Sequence, residues 1–357
     1  MKLNSIELRG FRSYPKRSFD FDQAGNLLIG ANGSGKTNLL EAIAYTSIGK
    51  SIRYHSDQEL VQLGASAFTL TGHYQTDHKS MLKVQLAYDS KRKILKINDE
   101  LMRQLSELFA RVKVIYCAPD DIGLINGSPR LRRQYFDMAI SQIFPAYLGI
   151  LRNYLHVVDQ RNRLLKTSYL KEEKRVWDLR FVEAMHALYP YRKSYLKLLN
   201  AELEQSFTNL SGDFLGVQVR YLGVISDALN QDMDSLKAYV EAIENKEGLW
   251  QRCLCGAHLD DFAFDLDGNS MRAFASQGQK RIAVIILKLI QAGLVRSQTG
   301  IKPILLYDDI FAELDHRHSE RIRELSSRDY QIFVASPKED IRNIWDSMKV
   351  IRLGDSA

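Results

Sequence analysis

Cysteine is scarce in this chain: Cys117, Cys253 and Cys255 are the only three among 357 residues. Three thiols cannot build a disulfide framework. Cys253-Leu254-Cys255 has no second Cys or His pair at zinc spacing, so no pattern for a structural zinc site is present. Long apolar runs are also missing, and none reaches the ~18 residues that a membrane span requires. Met1-Lys2-Leu3-Asn4-Ser5-Ile6-Glu7 has no basic stretch followed by an apolar one, so no secretory leader is expected. The simplest setting for such a chain is a reducing cytoplasm. Repeats and low-complexity tracts are absent. No helix-turn-helix, zinc finger or other base-reading module is visible, so any nucleic-acid binding should address backbone and shape rather than sequence. Heptads are not sustained long enough for a long coiled-coil arm.

What is present is a globular composition, 45% hydrophobic and 26% charged, in a chain long enough for one large or two ordinary domains. The most informative string is Gly30-Ala31-Asn32-Gly33-Ser34-Gly35-Lys36-Thr37, followed by Asn38. It satisfies G-x-x-x-x-G-K-[ST] at every fixed position. Asn26-Leu27-Leu28-Ile29 before it reads as a buried strand, and Asn38 to Ile43 after it as the first turns of a helix. Glycines let the backbone wrap an anion closely, and the helix N-terminus offers unpaired N–H groups. Lys36 is the candidate for the terminal phosphates of ATP and Thr37 for Mg2+.

Pro303 to Tyr307 is an apolar run ending in Asp308 and Asp309. It reads as a buried parallel strand, with Asp308 in the metal-binding role and Asp309 placed to polarise water. Lys36, Asp308 and Asp309 are thus the candidate catalytic residues. A third string, Phe274-Ala275-Ser276-Gln277-Gly278-Gln279-Lys280-Arg281, precedes an apolar helical segment and forms another helix start suited to phosphate. Ala275 to Gln279 resembles the ABC-type signature, usually L-S-G-G-Q, with Gln277 in place of the first Gly; in that class the signature, here Ser276 to Gln279, caps the γ-phosphate held by a second subunit. Phe311-Ala312-Glu313-Leu314-Asp315 resembles the D-loop of the same class, with Asp315 at its end. Kinases and GTPases of the P-loop type lack the signature, and the guanine-reading Asn-Lys-x-Asp is absent here.

Periodicity divides the chain into three stretches. The segment 1–125 reads as mixed α/β, with alternation at Phe19 and Phe21 and again at Leu82, Val84, Leu86 and Tyr88. The segment 126–250 reads as helical, with stripes at Leu148, Leu151, Leu155 and Val158, at Trp177, Phe181, Ala184 and Leu188, and at Leu196, Leu199, Leu203 and Phe207. Glycines at 212, 216 and 223 punctuate its end. The segment 251–357 returns to α/β and carries the signature, the Asp308 strand and the D-loop. The expected fold is an α/β ABC-type P-loop ATPase head, similar to Rad50 and SMC heads, with an inserted α-helical domain.

The formal net charge is +6, and basic residues cluster. Arg130, Arg132 and Arg133 stand together. Arg161, Arg163, Lys174 and Arg175 lie in a second basic stretch, with Tyr169 and Trp177 interleaved. These seven are the candidate phosphate contacts for DNA.

Several strings together resemble the RecF family of bacterial recombination mediators. They are Leu8-Arg9-Gly10-Phe11-Arg12-Ser13-Tyr14, Gly49-Lys50-Ser51-Ile52-Arg53, Pro119-Asp120-Asp121, Gly127-Ser128-Pro129-Arg130-Leu131-Arg132-Arg133-Gln134-Tyr135-Phe136-Asp137 and His258-Leu259-Asp260-Asp261. Ala257 and Leu259 depart from the Gly-Pro-His-Arg-Asp-Asp of the family. Ser336 stands where transporters carry a switch His, which implies slow turnover. The resemblance implies a DNA-stimulated, nucleoid-associated ATPase with ATP and Mg2+ as cofactors, and Arg12 among the nucleotide-binding residues. It further implies an ATP-dependent homodimer on double-stranded DNA and single-strand junctions, RecO and RecR as partners in loading RecA, and a place in DNA damage repair, replication restart and the SOS response. A structural SMC-like head is the alternative, and the missing arms argue against it.

Overall fold

The computed structural model describes residues 1–53, 56–211, 216–327 and 329–354. Gly212 falls outside them. Contacts divide the chain into two compact units, Met1–Asp121 with Arg281–Ala357, and Ile122–Lys280.

In the first unit, two sheets arise from two kinds of sequence pattern. Strictly alternating strands make a six-stranded antiparallel sheet: Tyr14–Asp20, Lys2–Phe11, Phe68–Gln75, Met81–Tyr88, Lys93–Ile97 and Glu100–Met102, in that spatial order. Leu82, Val84 and Leu86 face inward and their neighbours outward, as expected for a sheet with one solvated face. Asn98 and Asp99 both have positive φ and close the hairpin between Lys93–Ile97 and Glu100–Met102. Strands with largely apolar centres make a five-stranded parallel sheet, ordered Lys349–Arg352, Gly25–Ile29, Gln331–Ser336, Ile304–Asp308 and Val114–Cys117. Its three central strands are buried at every position.

The helix Gln277–Thr299 is long and apolar enough to cross a membrane by length and composition, contrary to the expectation that no such segment exists. Two thirds of its apolar window is buried inside the fold, and Lys288 on it pairs with Asp121 at 3.2 Å. It is the core helix of a packed domain.

The second unit holds the helices Pro129–Ile143, Pro145–Leu164 and Lys171–Ser211 and a three-stranded antiparallel sheet. The second and third sequence stripes lie on one 41-residue helix that continues through Pro190. Of the stripe expected at Leu148, Leu151, Leu155 and Val158, only Val158 is buried. Leu155 is exposed, and Tyr147, Tyr154, Val158 and Arg161 form the buried face. Tyrosines and an arginine with satisfied polar tips fill the core here, a choice that apolar periodicity does not register. This unit also runs past the expected boundary at 250. The reason is pairing: Asp261–Leu266 joins Val217–Leu222 antiparallel, which keeps the chain with the helices until Lys280.

Candidate nucleotide site

The parallel sheet positions the chemistry. Gly25–Ile29, Gln331–Ser336 and Ile304–Asp308 are adjacent strands, so Gly30, Ser336 and Asp308 meet at their C-terminal ends, where open α/β sheets bind ligands. The loop from Gly30 to Gly35 then leads into the helix Lys36–Ile48. Two glycines are required by space. A Cβ at Gly30 would meet the Leu353 carbonyl at 2.2 Å, and Gly35, with φ of 100°, lies under the Tyr14 hydroxyl, which donates to its carbonyl at 3.0 Å.

Lys36 is almost fully buried and its ammonium donates to the carbonyls of Gly30 at 2.8 Å and Ala31 at 3.0 Å. The ammonium is thereby held within the loop. Thr37 Oγ1 donates to Asp308 Oδ1 at 3.0 Å, which brings the two expected metal ligands together across the sheet. Asn38 reaches the hairpin, donating to Ser13 Oγ at 2.9 Å.

Sequence reading missed Tyr116. Its hydroxyl donates to the second Asp308 oxygen at 2.7 Å, and burial followed by the nearby Asp308 charge pushes its pKa well up. Tyr116 follows two core residues, Val114 and Ile115, in register with the Asp308 strand; the pairing Leu306 with Tyr116 was the available signal, but pairing between distant strands is not printed in local sequence.

Asp309 differs from Asp308. It has φ of 54°, its N–H donates to the Ala335 carbonyl, and its buried Oδ1 has no hydrogen-bond partner. Burial first, and the Asp308 charge second, raise its pKa, while Lys36 opposes them. Ser34 Oγ is likewise buried and unpartnered. Buried polar atoms are nearly always bonded, so two orphans at the mouth of a phosphate loop fit a bound phosphate and an ordered water. The residues present therefore suit a nucleotide, with Thr37 and Asp308 available for a divalent metal. Ser336 Oγ accepts from the Lys338 N–H at 3.1 Å.

The remaining expected residues divide. Arg12 donates to the buried Glu41 carboxylate at 3.3 Å and to the Glu59 carbonyl, which fixes it beside the helix that follows the loop. Asp315 accepts from the His318 N–H at 2.8 Å and caps the helix His316–Ser327; this backbone bond leads the effects that lower its pKa. Ser276 and Gln279 form a reciprocal cap on Gln277–Thr299: Gln279 N–H donates to Ser276 Oγ at 3.2 Å and Ser276 N–H to Gln279 Oε1 at 2.9 Å. Gln277 and Gly278 stay exposed, and Phe274 beside them is 76% exposed.

The DNA assignment needs correction at three positions. Arg132 is buried and makes a bidentate pair with Asp261 at 2.7 and 2.8 Å. Arg161 is wholly buried between Glu247, Asp178 and the Cys253 sulfur. Lys174 is buried against Asp178 and Glu244. These cations are committed to internal carboxylates and cannot reach a phosphate backbone. Arg133 is half-buried, donating to the Asp260 carbonyl at 2.8 Å, and burial lowers its pKa. Arg130 and Arg175 are exposed, as is Arg163, which pairs with Asp159 at 2.9 Å.

Known proteins resemble this chain over nearly its whole length. The family model described as RecF/RecN/SMC N terminal domain matches residues 2–355. Among curated relatives, a "DNA replication and repair protein RecF" of Moorella thermoacetica is 35% identical, covering 94% of this chain and 90% of its own. One of Clostridioides difficile is 31% identical, covering 98% and 95%. A solved recombination mediator protein RecF with ATP superposes with a TM-score of 0.87 at 28% identity, covering 94% of this chain and 92% of that one. An Smc head bound to the C-winged helix domain of ScpA superposes at 0.53 with 17% identity, covering 96% and 92%, which speaks to fold alone. With the phosphate loop, the Asp308 pair and the matches over nearly the whole chain in place, the chain belongs to the RecF family of ATP-binding DNA replication and repair proteins within the RecF/RecN/SMC group.

Proposed function

We propose that this protein is an ATP-gated DNA clamp in which two chains close head to tail. The observation that carries the reading is the pairing of a finished half-site with an exposed cap. Thr37 and Asp308 are joined and oriented, Asp309 holds an unpartnered oxygen, and Gln277 and Gly278 lie open at another helix start.

When bound, Mg·ATP supplies the transferable phosphoryl group and the charge that draws a second chain in. Backbone N–H groups from Gly30 to Gly35 and the Lys36 ammonium would hold the phosphates, and Thr37 with Asp308 would hold Mg2+. Tyr116 donates to the Asp308 oxygen that Thr37 leaves over, which fixes the carboxylate plane. Asp309 would orient water, its raised pKa bringing its basicity closer to neutral. Ser276 to Gln279 of one chain would cap the γ-phosphate held by the other, and Asp315 would lie in the same interface. Ser336, a short neutral hydroxyl already engaged by the Lys338 N–H, would make a weak phosphate sensor and so slow turnover, which closure on DNA would stimulate.

Closure would align two basic surfaces on duplex or junction DNA, with Arg130, Arg163 and Arg175 as the exposed contacts from the original set. Solved RecF structures are described within a RecFOR pathway; on that basis the clamp would cooperate with RecO and RecR in loading RecA on gapped DNA. Sedimentation with and without Mg·ATP and duplex tests the reading. Wild type should dimerise with ATP, and Asp309→Asn should remain a dimer that does not turn over. A monomeric Asp309→Asn hydrolysing at the parental rate would overturn it.

A further inference from the structure

We infer that the end of the helical unit bearing Leu170, Leu249 and Trp250 is a docking surface for a protein segment that combines carboxylates with apolar anchors. The three side chains are 71%, 82% and 62% exposed. They come from two separate segments, the approach to the helix Lys171–Ser211 and the end of the helix Glu244–Trp250.

Those segments are held together from beneath. Glu247 on the short helix takes two hydrogen bonds from Arg161, Glu244 pairs with Lys174 at 3.4 Å, and the Lys174 N–H donates to the Leu170 carbonyl. A side chain added at Gly248 would meet the Tyr169 hydroxyl at 3.9 Å. A buried ion network thus fixes a short helix whose outward residues are leucine and tryptophan. Scattered exposed apolar residues are ordinary, but several gathered at one place mark an interaction site.

The rim selects the occupant. Lys246 and Arg252 flank Leu249 and Trp250 in sequence, both are exposed, and no carboxylate pairs with either among the described residues, whereas Glu244 and Glu247 of the same short helix are taken by Lys174 and Arg161; Lys171, beside Leu170, is exposed next to Glu172 and Glu173. A partner must therefore bring negative charge as well as apolar groups. Nucleic acid would supply charge, but a duplex backbone would leave Leu170, Leu249 and Trp250 without an apolar partner, and a single strand needs open aromatic faces for stacking. The one exposed tryptophan here already carries the Arg252 guanidinium over its ring at 5.6 Å, and leucine offers no stacking face. An acidic amphipathic peptide uses every feature: anchors for Leu170, Leu249 and Trp250, carboxylates for the cations.

The test is fluorescence anisotropy with the full chain and three labelled probes. One is a synthetic helix with leucine and phenylalanine on one face and Asp/Glu elsewhere. The second has the same apolar face with Lys in place of Asp/Glu, and the third is oligothymidylate. The acidic helix should bind best. Leu249→Asp with Trp250→Ala should weaken it by more than about tenfold, as loss of an anchor does. Lys246→Glu with Arg252→Glu should transfer preference to the basic helix. All four positions are exposed, and unchanged ATP binding by the variants reports an intact head. No binding of the acidic helix to wild type, equal binding of both helices, preference for oligothymidylate, or indifference to the substitutions would each overturn the proposal.

Discussion

The nucleotide site and the polar core of the helical unit are built from the same residue types and treat them in opposite ways. In the helical unit every buried charge is met. Arg192 is surrounded by Tyr147, Tyr221, the Ala257 carbonyl and Asp137. Asp260 accepts from Tyr189, Tyr221 and the Val224 N–H. Arg161 has two carboxylates. At the nucleotide site, Asp309 Oδ1 and Ser34 Oγ are buried and unmet. Buried charge in the helical unit serves architecture, whereas two buried polar atoms beside the phosphate loop are left for a ligand. The string most specific to the RecF resemblance, Gly127 to Asp137, belongs to the architecture, and so does His258 to Asp261. They meet each other through Arg132 with Asp261 and Arg133 with the Asp260 carbonyl.

The sharpest way to break this comparison is to unpair the architecture. Arg161→Ala leaves Glu247 buried without a counter-ion, so stability should fall by about 3–5 kcal/mol, read by denaturant unfolding; a loss within experimental error would show that the network is idle. Acid probes the same core. Burial, then the charges of Arg133, Arg161 and Arg192, lower the His258 pKa to about 4. The unfolded imidazole takes its proton near pH 6.5, so its contribution is complete above that pH and is lost as pH falls toward 4. The loss reaches up to about 3 kcal/mol. His258→Gln should flatten the stability profile in this window and not above it.

At the nucleotide site the effects should appear chiefly in binding and turnover. Lys36→Ala should weaken ATP binding by about a hundredfold, or ~2.7 kcal/mol, by calorimetry. Tyr116→Phe removes one hydrogen bond of about 1.5–3 kcal/mol to a carboxylate. It should raise the Mg2+ concentration needed for ATP-dependent thermal stabilisation while leaving metal-free nucleotide binding unchanged. An effect on neither, or on both equally, would remove Tyr116 from the metal-positioning role. The smallest effect belongs to an exposed cation: Arg163→Ala should change stability by less than about 0.5 kcal/mol while reducing the salt slope of duplex binding by about one unit.

Much of the site was legible before the fold was known, because phosphate binding demands a contiguous loop with glycine at spatially forced positions such as Gly30 and Gly35. The Asp308 strand was legible for the same reason, since a buried parallel strand is a continuous apolar run. Contacts between distant segments were not. Tyr116 reaches Asp308 through sheet pairing, and Arg132, Arg161 and Lys174 look like a basic surface until their carboxylates, far away in sequence, are seen. Ser276 and Gln279 carried two meanings at once, a reciprocal helix cap and part of a signature, and only the exposed Gln277 and Gly278 are left without a structural role.

The proposal that the ATP site is completed by a second chain is tested most directly by mixing two defective proteins. Lys36→Ala lacks a working phosphate loop and keeps its signature turn. Ser276→Arg obstructs the turn and keeps its loop, so it should still bind ATP as a monomer. A mixed dimer holds one site with both wild-type elements, and the mixture should recover part of the ATP hydrolysis that each protein lacks alone. No recovery at any ratio, together with loss of monomer ATP binding in Ser276→Arg, would contradict a site shared between chains.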